Sequence, residues 1–462
     1  MFPRVATRKP RGTKRGPGSR SAPRSPFRPA TALATIVRPL GSSPRPSEVI
    51  ISAVVAPDAS ERCRVLIYSH DGTGLGHLRI ALGIAKELAA RQPHASLLLL
   101  TGSLQAGAFD LPPNLDYVKL PAMPLRGLYV DLPAPASPPT GFHNVVYVRE
   151  AVARATVEAF APHVVVVDHA PAGLFRELAR AIDWLRTAMP TSRLVLLMRD
   201  ITFGPEQTRT IWKNEGIYPL LDHAYDRILV YGSKEIFDPV GEYGMSELAA
   251  EKTRFCGYLA PTPPRRSPDR VRAELGVGDR PLVAVSVGGG ADGGPLLRAY
   301  LEGASRCAPP DLASYVVAGP LLPEADRPAV EALAAGQPGV TLVPFDPDYF
   351  AVAAAADVLV GMGGYNSLSE AAYLGKRIVV APRVPGPEEQ TIRARRFADL
   401  GLATVIAPEA LDPARLWQAV RDELGRDEAP PTRLSFGGVP AIVDEVSDAM
   451  SEAMRLVPTA EG

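Results

Sequence analysis

From Arg64 onward, short apolar runs alternate with stretches of helical periodicity. RVLIYSH (64–70) predicts a strand and LRIALGIAKELAAR (78–91) the helix that follows it. SLLLLTG (96–102), LDYVKLPA (115–122), VVVVDHA (164–170), LVLLMRDI (194–201) and DRILVYGS (226–233) predict further strands. These runs are apolar on both faces, as parallel strands covered by helices on each side must be. The proline-rich stretch APTPPRRSPDR (260–270) then interrupts the pattern as a linker or hinge. The alternation restarts with PLVAVSVGGG (281–290), ASYVVAGP (313–320), VTLVPF (340–345), DVLVGMGG (357–364), RIVVAP (377–382) and ATVIAP (403–408). A helix at 412–425, a polar break at 426–440 and an amphipathic helix at 441–457 close the chain. The pattern predicts an α/β protein with two doubly wound, Rossmann-like parallel sheets facing across a cleft. Its expected divisions are a tail (1–62), a first domain (63–259), a second domain (260–440) and a C-terminal segment (441–462) that packs back on the first.

Composition changes this picture at one end. Net charge is zero over 462 residues, yet residues 1–48 hold eleven Lys/Arg and one acid, Glu48. The remainder therefore has 39 bases against 49 acids, which excludes a general nucleic-acid binder. The Arg-, Pro-, Ser- and Gly-rich tail buries too little apolar surface to offset its ordering entropy and reads as disordered. The same composition fits a transit peptide, a nucleic-acid arm or a mis-assigned start codon. Cys63, Cys256 and Cys307 match neither a disulfide framework nor a zinc site, which points to a reducing, cytoplasmic setting. No apolar run is long enough to span a bilayer.

Four segments carry candidate chemistry. His70-Asp71-Gly72-Thr73-Gly74-Leu75-Gly76-His77 joins the first strand to its helix. Its glycines allow close backbone approach, and a histidine there suits a general base. The spacing is GxGxGH rather than the dinucleotide GxGxxG, and the alternative is a tight turn capped by His77. Gly288-Gly289-Gly290-Ala291-Asp292-Gly293-Gly294 repeats this logic after the first strand of the second domain, as a diphosphate loop or a plain flexible one. In Gly361-Met362-Gly363-Gly364-Tyr365-Asn366-Ser367-Leu368-Ser369-Glu370, a helix N-terminus faces phosphate while Glu370 accepts from ribose hydroxyls. The local alternative makes Ser367 and Glu370 a capping box. Pro385-Gly386-Pro387-Glu388-Glu389-Gln390 offers polar groups for sugar hydroxyls, or else a solvated turn before a basic helix, 391–396. Asp168-His169 and Arg199-Asp200 lie at strand ends, as cleft groups or as satisfied polar ones.

GTGLGH followed by a helix, together with DVLVGMGGYNSLSEAAYLGKRIVVAPRVPGPEEQTIRARRFADLG, resembles GT-B glycosyltransferases of family 28 over roughly 63–457. The resemblance implies a nucleotide-diphosphate sugar, usually uridine-linked, as co-substrate, and no metal or other cofactor. It assigns the diphosphate to Gly288, Gly289, Gly290, Gly363, Gly364, Asn366 and Ser367, and ribose to Glu370. Glu389 and Gln390 fall to the sugar, Phe345 to the base and His77 to the catalytic base. Gly74, Gly76, Arg79, Asp168, His169 and Asp200 are acceptor-side candidates. The implied reaction is an inverting transfer to an acceptor hydroxyl, on a small molecule or a lipid-linked one; a lipid-linked acceptor would bring peripheral membrane contact. Gly290 and Glu389 depart from the peptidoglycan member of the family, which has serine and glutamine there. Gly74-Leu75-Gly76-His77-Leu78-Arg79 also resembles the GxGHxxR of nucleotide-sugar hydrolases, so hydrolysis is a rival activity. A non-catalytic nucleotide-sugar-binding protein is another.

Overall fold

The computed structural model describes residues 62–70, 76–123, 142–383, 388–426, 428–431 and 434–456. The tail reading (1–62, but for Arg62), Gly74 of the first loop and the Pro385–Pro387 turn lie outside the described residues. Through the first half run β1 (Arg64–Ser69), α1 (Gly76–Arg91), β2 (Ser96–Thr101), β3 (Leu115–Lys119), α2 (Phe142–Phe160) and β4 (Val164–Asp168). There follow α3 (Ala179–Ala188), β5 (Arg193–Arg199), α4 (Pro205–Asn214), α5 (Ile217–His223), β6 (Arg227–Tyr231), α6 (Pro239–Glu242), α7 (Glu247–Glu251) and β7 (Thr253–Phe255). The second half comprises α8 (Pro268–Glu274), β8 (Leu282–Ser286), α9 (Gly294–Cys307), β9 (Ala313–Val317), α10 (Arg327–Ala335), β10 (Val340–Val343) and α11 (Tyr349–Ala355). It continues through β11 (Val358–Gly361), α12 (Tyr365–Tyr373), β12 (Arg377–Val380), α13 (Glu389–Asp399), β13 (Thr404–Val405), α14 (Pro413–Leu424) and α15 (Gly438–Leu456).

The strands form two sheets, ordered β3-β2-β1-β4-β5-β6-β7 and β10-β9-β8-β11-β12-β13, with every pairing parallel. Val65 to Tyr68, Val164 to Val167 and Val283 to Val285 are buried throughout, which is why the runs carry apolar residues without alternation. In each sheet the order reverses beside the first strand, between β1 and β4 and between β8 and β11. Those switch points open crevices at the carboxyl ends of the strands.

Two boundaries differ from the sequence pattern, and each has a local cause. Residue 268 begins a helix rather than continuing the linker. Ser267 caps it by accepting from Arg270 N (3.3 Å), and Pro268 occupies the first helical position. Arg265 and Arg266 donate backbone N–H groups to Asp348, fastening this stretch to the second half. The crossing between the halves is therefore nearer 256–259, where Tyr258 N donates to Ser435 O (2.7 Å) and Gly438 N to Tyr258 O (3.0 Å). Helix α15 starts at Gly438, three residues before the predicted 441, because its tolerated Pro440 lies in the first turn. A Cβ at 438 would lie 2.7 Å from Tyr258 O. This last helix packs on α1, β4 and β5. Arg227 grips Glu452 (2.6 Å) and Glu445 (3.0 Å), and Arg193 reaches Glu452 (3.2 Å).

Candidate functional site

The carboxyl ends of the two sheets meet. Tyr365 at the start of α12 donates its hydroxyl to Tyr231 O at the end of β6 (3.2 Å). Arg393 of α13 donates to Asp200 Oδ1 beyond β5 (3.1 Å), both side chains being fully buried. Asp200 Oδ1 also accepts from Ile201 N (2.7 Å), and Oδ2 accepts from the Tyr258 hydroxyl (2.9 Å). Its surroundings are those of a joint between the halves. Arg199 and Arg393 flank Tyr365, their guanidinium carbons 5.3 and 5.7 Å from its ring centre. The basic helix 391–396, read from sequence as following a solvated turn, thus contains one fully buried arginine, Arg393.

At the first switch point, His70 follows β1, His77 is the second residue of α1, Asp168 ends β4 and His169 follows it. His77 is not a cap: it lies inside the helix and donates Nδ1–H to Asp168 Oδ2 (2.7 Å). Asp168 is fully buried, and its other oxygen accepts from the Tyr231 hydroxyl (3.4 Å). The bond to Asp168 fixes the tautomer, leaving Nε2 of the neutral ring as the basic nitrogen. His169 sits in the left-handed region (φ 67°) and donates its backbone N–H to Leu197 O (2.7 Å). Arg79 is exposed on α1, and Gly76 has open space around it. Behind this group, Glu177 accepts from Arg149 through both oxygens (2.5 and 2.8 Å) and from the Tyr68 hydroxyl (2.8 Å), all buried. Burial pushes the thiols of Cys63 and Cys256 up to about 11 and about 12, which leaves them unreactive.

At the second switch point the two glycine loops lie side by side. Gly288 and Gly290 take positive φ, and a Cβ at 290 would fall 2.4 Å from Ala318 O, so the serine of the peptidoglycan member has no room here. Gly363 (φ 79°) runs against Val380 and the backbone of Gln390, where a Cβ would come within 2.9 Å of Val380. The helix starts at Tyr365 with Gly364 as its cap, and Ser367 Oγ donates back to Gly364 O (3.1 Å). Ser367 and Glu370 therefore form no capping box, which frees the Glu370 carboxyl for another role. Asn366 is exposed beside it. Arg383, just past β12, binds Asp292 of the first glycine loop (2.8 Å) and lies 4.0 Å from Glu389. Oriented to satisfy its neighbours, the Gln390 amide donates to Met362 O (2.9 Å) and accepts from Arg383 Nη2 (3.3 Å). Arg383 thus joins the 288–294 and 385–390 segments, and Gln390 extends the network to Met362 of the third. Phe345 is 57% exposed after β10, free to cover a planar ring.

Burial pushes the Glu370 carboxyl up to about 7, with Arg79 pulling it the other way. Only the ionised carboxyl, which carries no proton, can accept hydrogen bonds through both oxygens from a pair of ligand hydroxyls. With Glu370 as the ribose-binding group that the family resemblance implies, uridine-diphosphate affinity is expected to rise about tenfold between about pH 6 and pH 8, relative to Glu370→Gln. Isothermal titration of both proteins across that range checks the slope. Parallel profiles would dissociate Glu370 from the nucleotide.

The architecture is the GT-B fold, and the structural similarities agree. The chain superposes on the calicheamicin glycosyltransferase CalG4 with a TM-score of 0.59 at 20% identity, covering 86% of this chain and all of that one. On MurG of Acinetobacter baumannii the values are 0.51 and 16%, covering 84% of this chain and 99% of that one. Residues 285–435, in the second half, match the glycosyltransferase family 28 C-terminal domain. A curated relative is the UDP-N-acetylglucosamine–N-acetylmuramyl-(pentapeptide) pyrophosphoryl-undecaprenol N-acetylglucosamine transferase of Corynebacterium efficiens. It is 28% identical over 229 residues, covering 47% of this chain and 60% of the relative. The chain spans 60% and 43% of the lengths of the two curated relatives it matches.

Proposed function

We propose that this protein is a glycosyltransferase that moves a sugar from a nucleoside-diphosphate donor, uridine-linked, to an acceptor hydroxyl with inversion and without a metal ion. The observation that carries the reading is the His77–Asp168 pair at the switch point of one sheet, with Glu370 and the glycine loops at the switch point of the other. Nε2 of His77 takes the acceptor proton, and the acceptor oxygen bonds to the anomeric carbon. The bond from that carbon to the diphosphate breaks, and its electron pair leaves with the nucleoside diphosphate. Negative charge growing on the leaving group meets backbone N–H groups at 288–294 and 363–367, and Arg383 beside them. Such donors, fixed before reaction, stabilise developing charge without reorganising. Helix α13 adds Glu389 and Gln390 on the sugar side.

Two features oppose the hydrolase and binding-only readings. The family 28 domain match falls on the donor half, and the His–Asp pair retains the geometry of a working base. Comparing donor breakdown with and without an acceptor panel tests the choice. Sugar release should depend on the acceptor. Equal release from donor alone would make the protein a hydrolase, and tight donor binding without turnover would make it a binding protein. Among the described residues no helix is long and apolar enough to cross a membrane. Any lipid-linked acceptor would therefore be approached by the described part from the membrane surface.

A further inference from the structure

Three of the seven histidines stand together at the first switch point. The ring centres of His70, His77 and His169 form a nearly equilateral triangle, with sides of 5.0, 5.0 and 5.1 Å. His70 and His77 stand on either side of one strand–helix connection, whereas His169 follows β4 and is distant in sequence, so no local turn brings all three together. Asp168 anchors only His77. The Nδ1 atoms of His70 and His169 are buried without a hydrogen-bond partner. A buried imidazole nitrogen kept unpaired is costly, and so is a left-handed backbone at a residue with a side chain. His169 carries both costs and His70 carries the first. Histidines that served only as packing would have found partners or been replaced by apolar residues of similar size.

We propose that His70, His77 and His169 act as a single proton-holding cluster with capacity for one proton, His70 and His169 being positioning residues that strengthen His77 as the base. This rests on the reading of His77 as the base. The surrounding charges set the capacity. Asp168 on β4 supplies one negative charge, with the Tyr231 hydroxyl of β6 beside it. Arg199 of β5 and Arg149 of α2 supply positive fields, Arg149 being offset by Glu177, while Arg393 and Glu389 act on Arg199 from the second half. One imidazolium balances Asp168, and a second would face it at about 5 Å. Burial, followed by their charged neighbours, holds His70 and His169 well below the usual histidine range, so the proton resides on His77. Both neighbours then remain neutral rings. His70 meets His77 nearly edge to face, at an interplanar angle of 77°, which lets a neutral π-system support an adjacent cation. The proton taken from the acceptor hydroxyl stays on the cluster until the products leave, and then passes to water.

The experiment is a pH titration of the histidine ring signals by NMR in the whole protein, joined to pH–rate profiles of the wild type, His70→Phe, His169→Asn and His169→Ala. Asparagine tolerates the left-handed backbone and so separates ring loss from strain. The expected result is a single protonation among the three rings, its signal lost in His77→Gln. His169→Asn should move the acidic limb of kcat/KM down by about one pH unit and lower its plateau, because the imidazolium loses support. His70→Phe keeps an aromatic face and should shift the limb less. Two histidines titrating together, or a limb unmoved while kcat falls equally at every pH, would overturn the proposal. So would loss of activity to a chelator, since that would make the three rings metal ligands. Among the described residues no group of three such side chains is arranged to hold a metal. The NMR arm needs no turnover. A single-proton cluster in a protein that transfers no sugar would leave the cluster standing and remove the transferase reading.

Discussion

His77→Ala lowers kcat by about 10²–10⁴ while uridine-diphosphate affinity stays within about twofold of wild type. The reason for the split is spatial. His77 lies at the head of α1 in the first half, whereas the nucleotide is assigned to Glu370 and the glycine loops of the second. On the proposed mechanism, removing the imidazole takes away the group that accepts the hydroxyl proton, but nothing assigned to base, ribose or diphosphate. Asp168→Asn should come close to the same loss with the ring still present. Its amide cannot accept through both positions, so His77 is free to place its proton on Nε2, where a base must have none. Steady-state rates with the best acceptor, together with calorimetric nucleotide binding, check both variants. Turnover within threefold of wild type in either would remove the pair from the mechanism.

Glu177→Ala destabilises the protein by about 3–5 kcal/mol, because it leaves the Arg149 guanidinium buried and without its carboxylate. The pair is about 1% exposed on each side and two-pronged, and the carboxylate also receives the Tyr68 hydroxyl. The double variant Arg149→Met/Glu177→Leu should recover most of the loss, since an apolar pair of similar volume leaves no charge to be desolvated. Denaturant midpoints at an unchanged slope measure both. A cost below about 1 kcal/mol for Glu177→Ala would mean that water reaches Arg149. The prediction bears on function as well. Arg149 acts electrostatically on His70, so a guanidinium there without its carboxylate also weakens the imidazole cluster.

Much of the fold was legible because its strands are buried on both faces. Continuous apolar runs such as VVVVD and VLVG announce strands without alternation, and the glycines after them announce the turns. Strand β7, three residues long and paired on one edge only, carries too little pattern to be read. The start of α8 was hidden inside a proline-rich run, where Pro268 signals a helix start as readily as a linker. In the site, His77 and Glu370 stand out because each follows a glycine turn at a strand end. The partners of those residues do not. Asp168 is 91 residues from His77, and only the order β1-β4 brings them together. Arg393 reads as one of several arginines on a basic helix, and its burial against Asp200 depends on how the halves meet. His70 stood in the first motif, but its role requires His169, which a different strand delivers. Pairwise chemistry across a switch point is a property of topology, and topology is what a single sequence shows least.

The central claim is that the second half holds a nucleoside-diphosphate donor through Glu370 while the first half supplies the base. Calorimetric titration of uridine-diphosphate sugars into wild type, Glu370→Ala and His77→Ala tests it most directly. The account predicts one site per chain, affinity reduced at least about tenfold in Glu370→Ala and unchanged in His77→Ala. Absence of binding by any nucleoside-diphosphate sugar, or binding indifferent to Glu370, would contradict it.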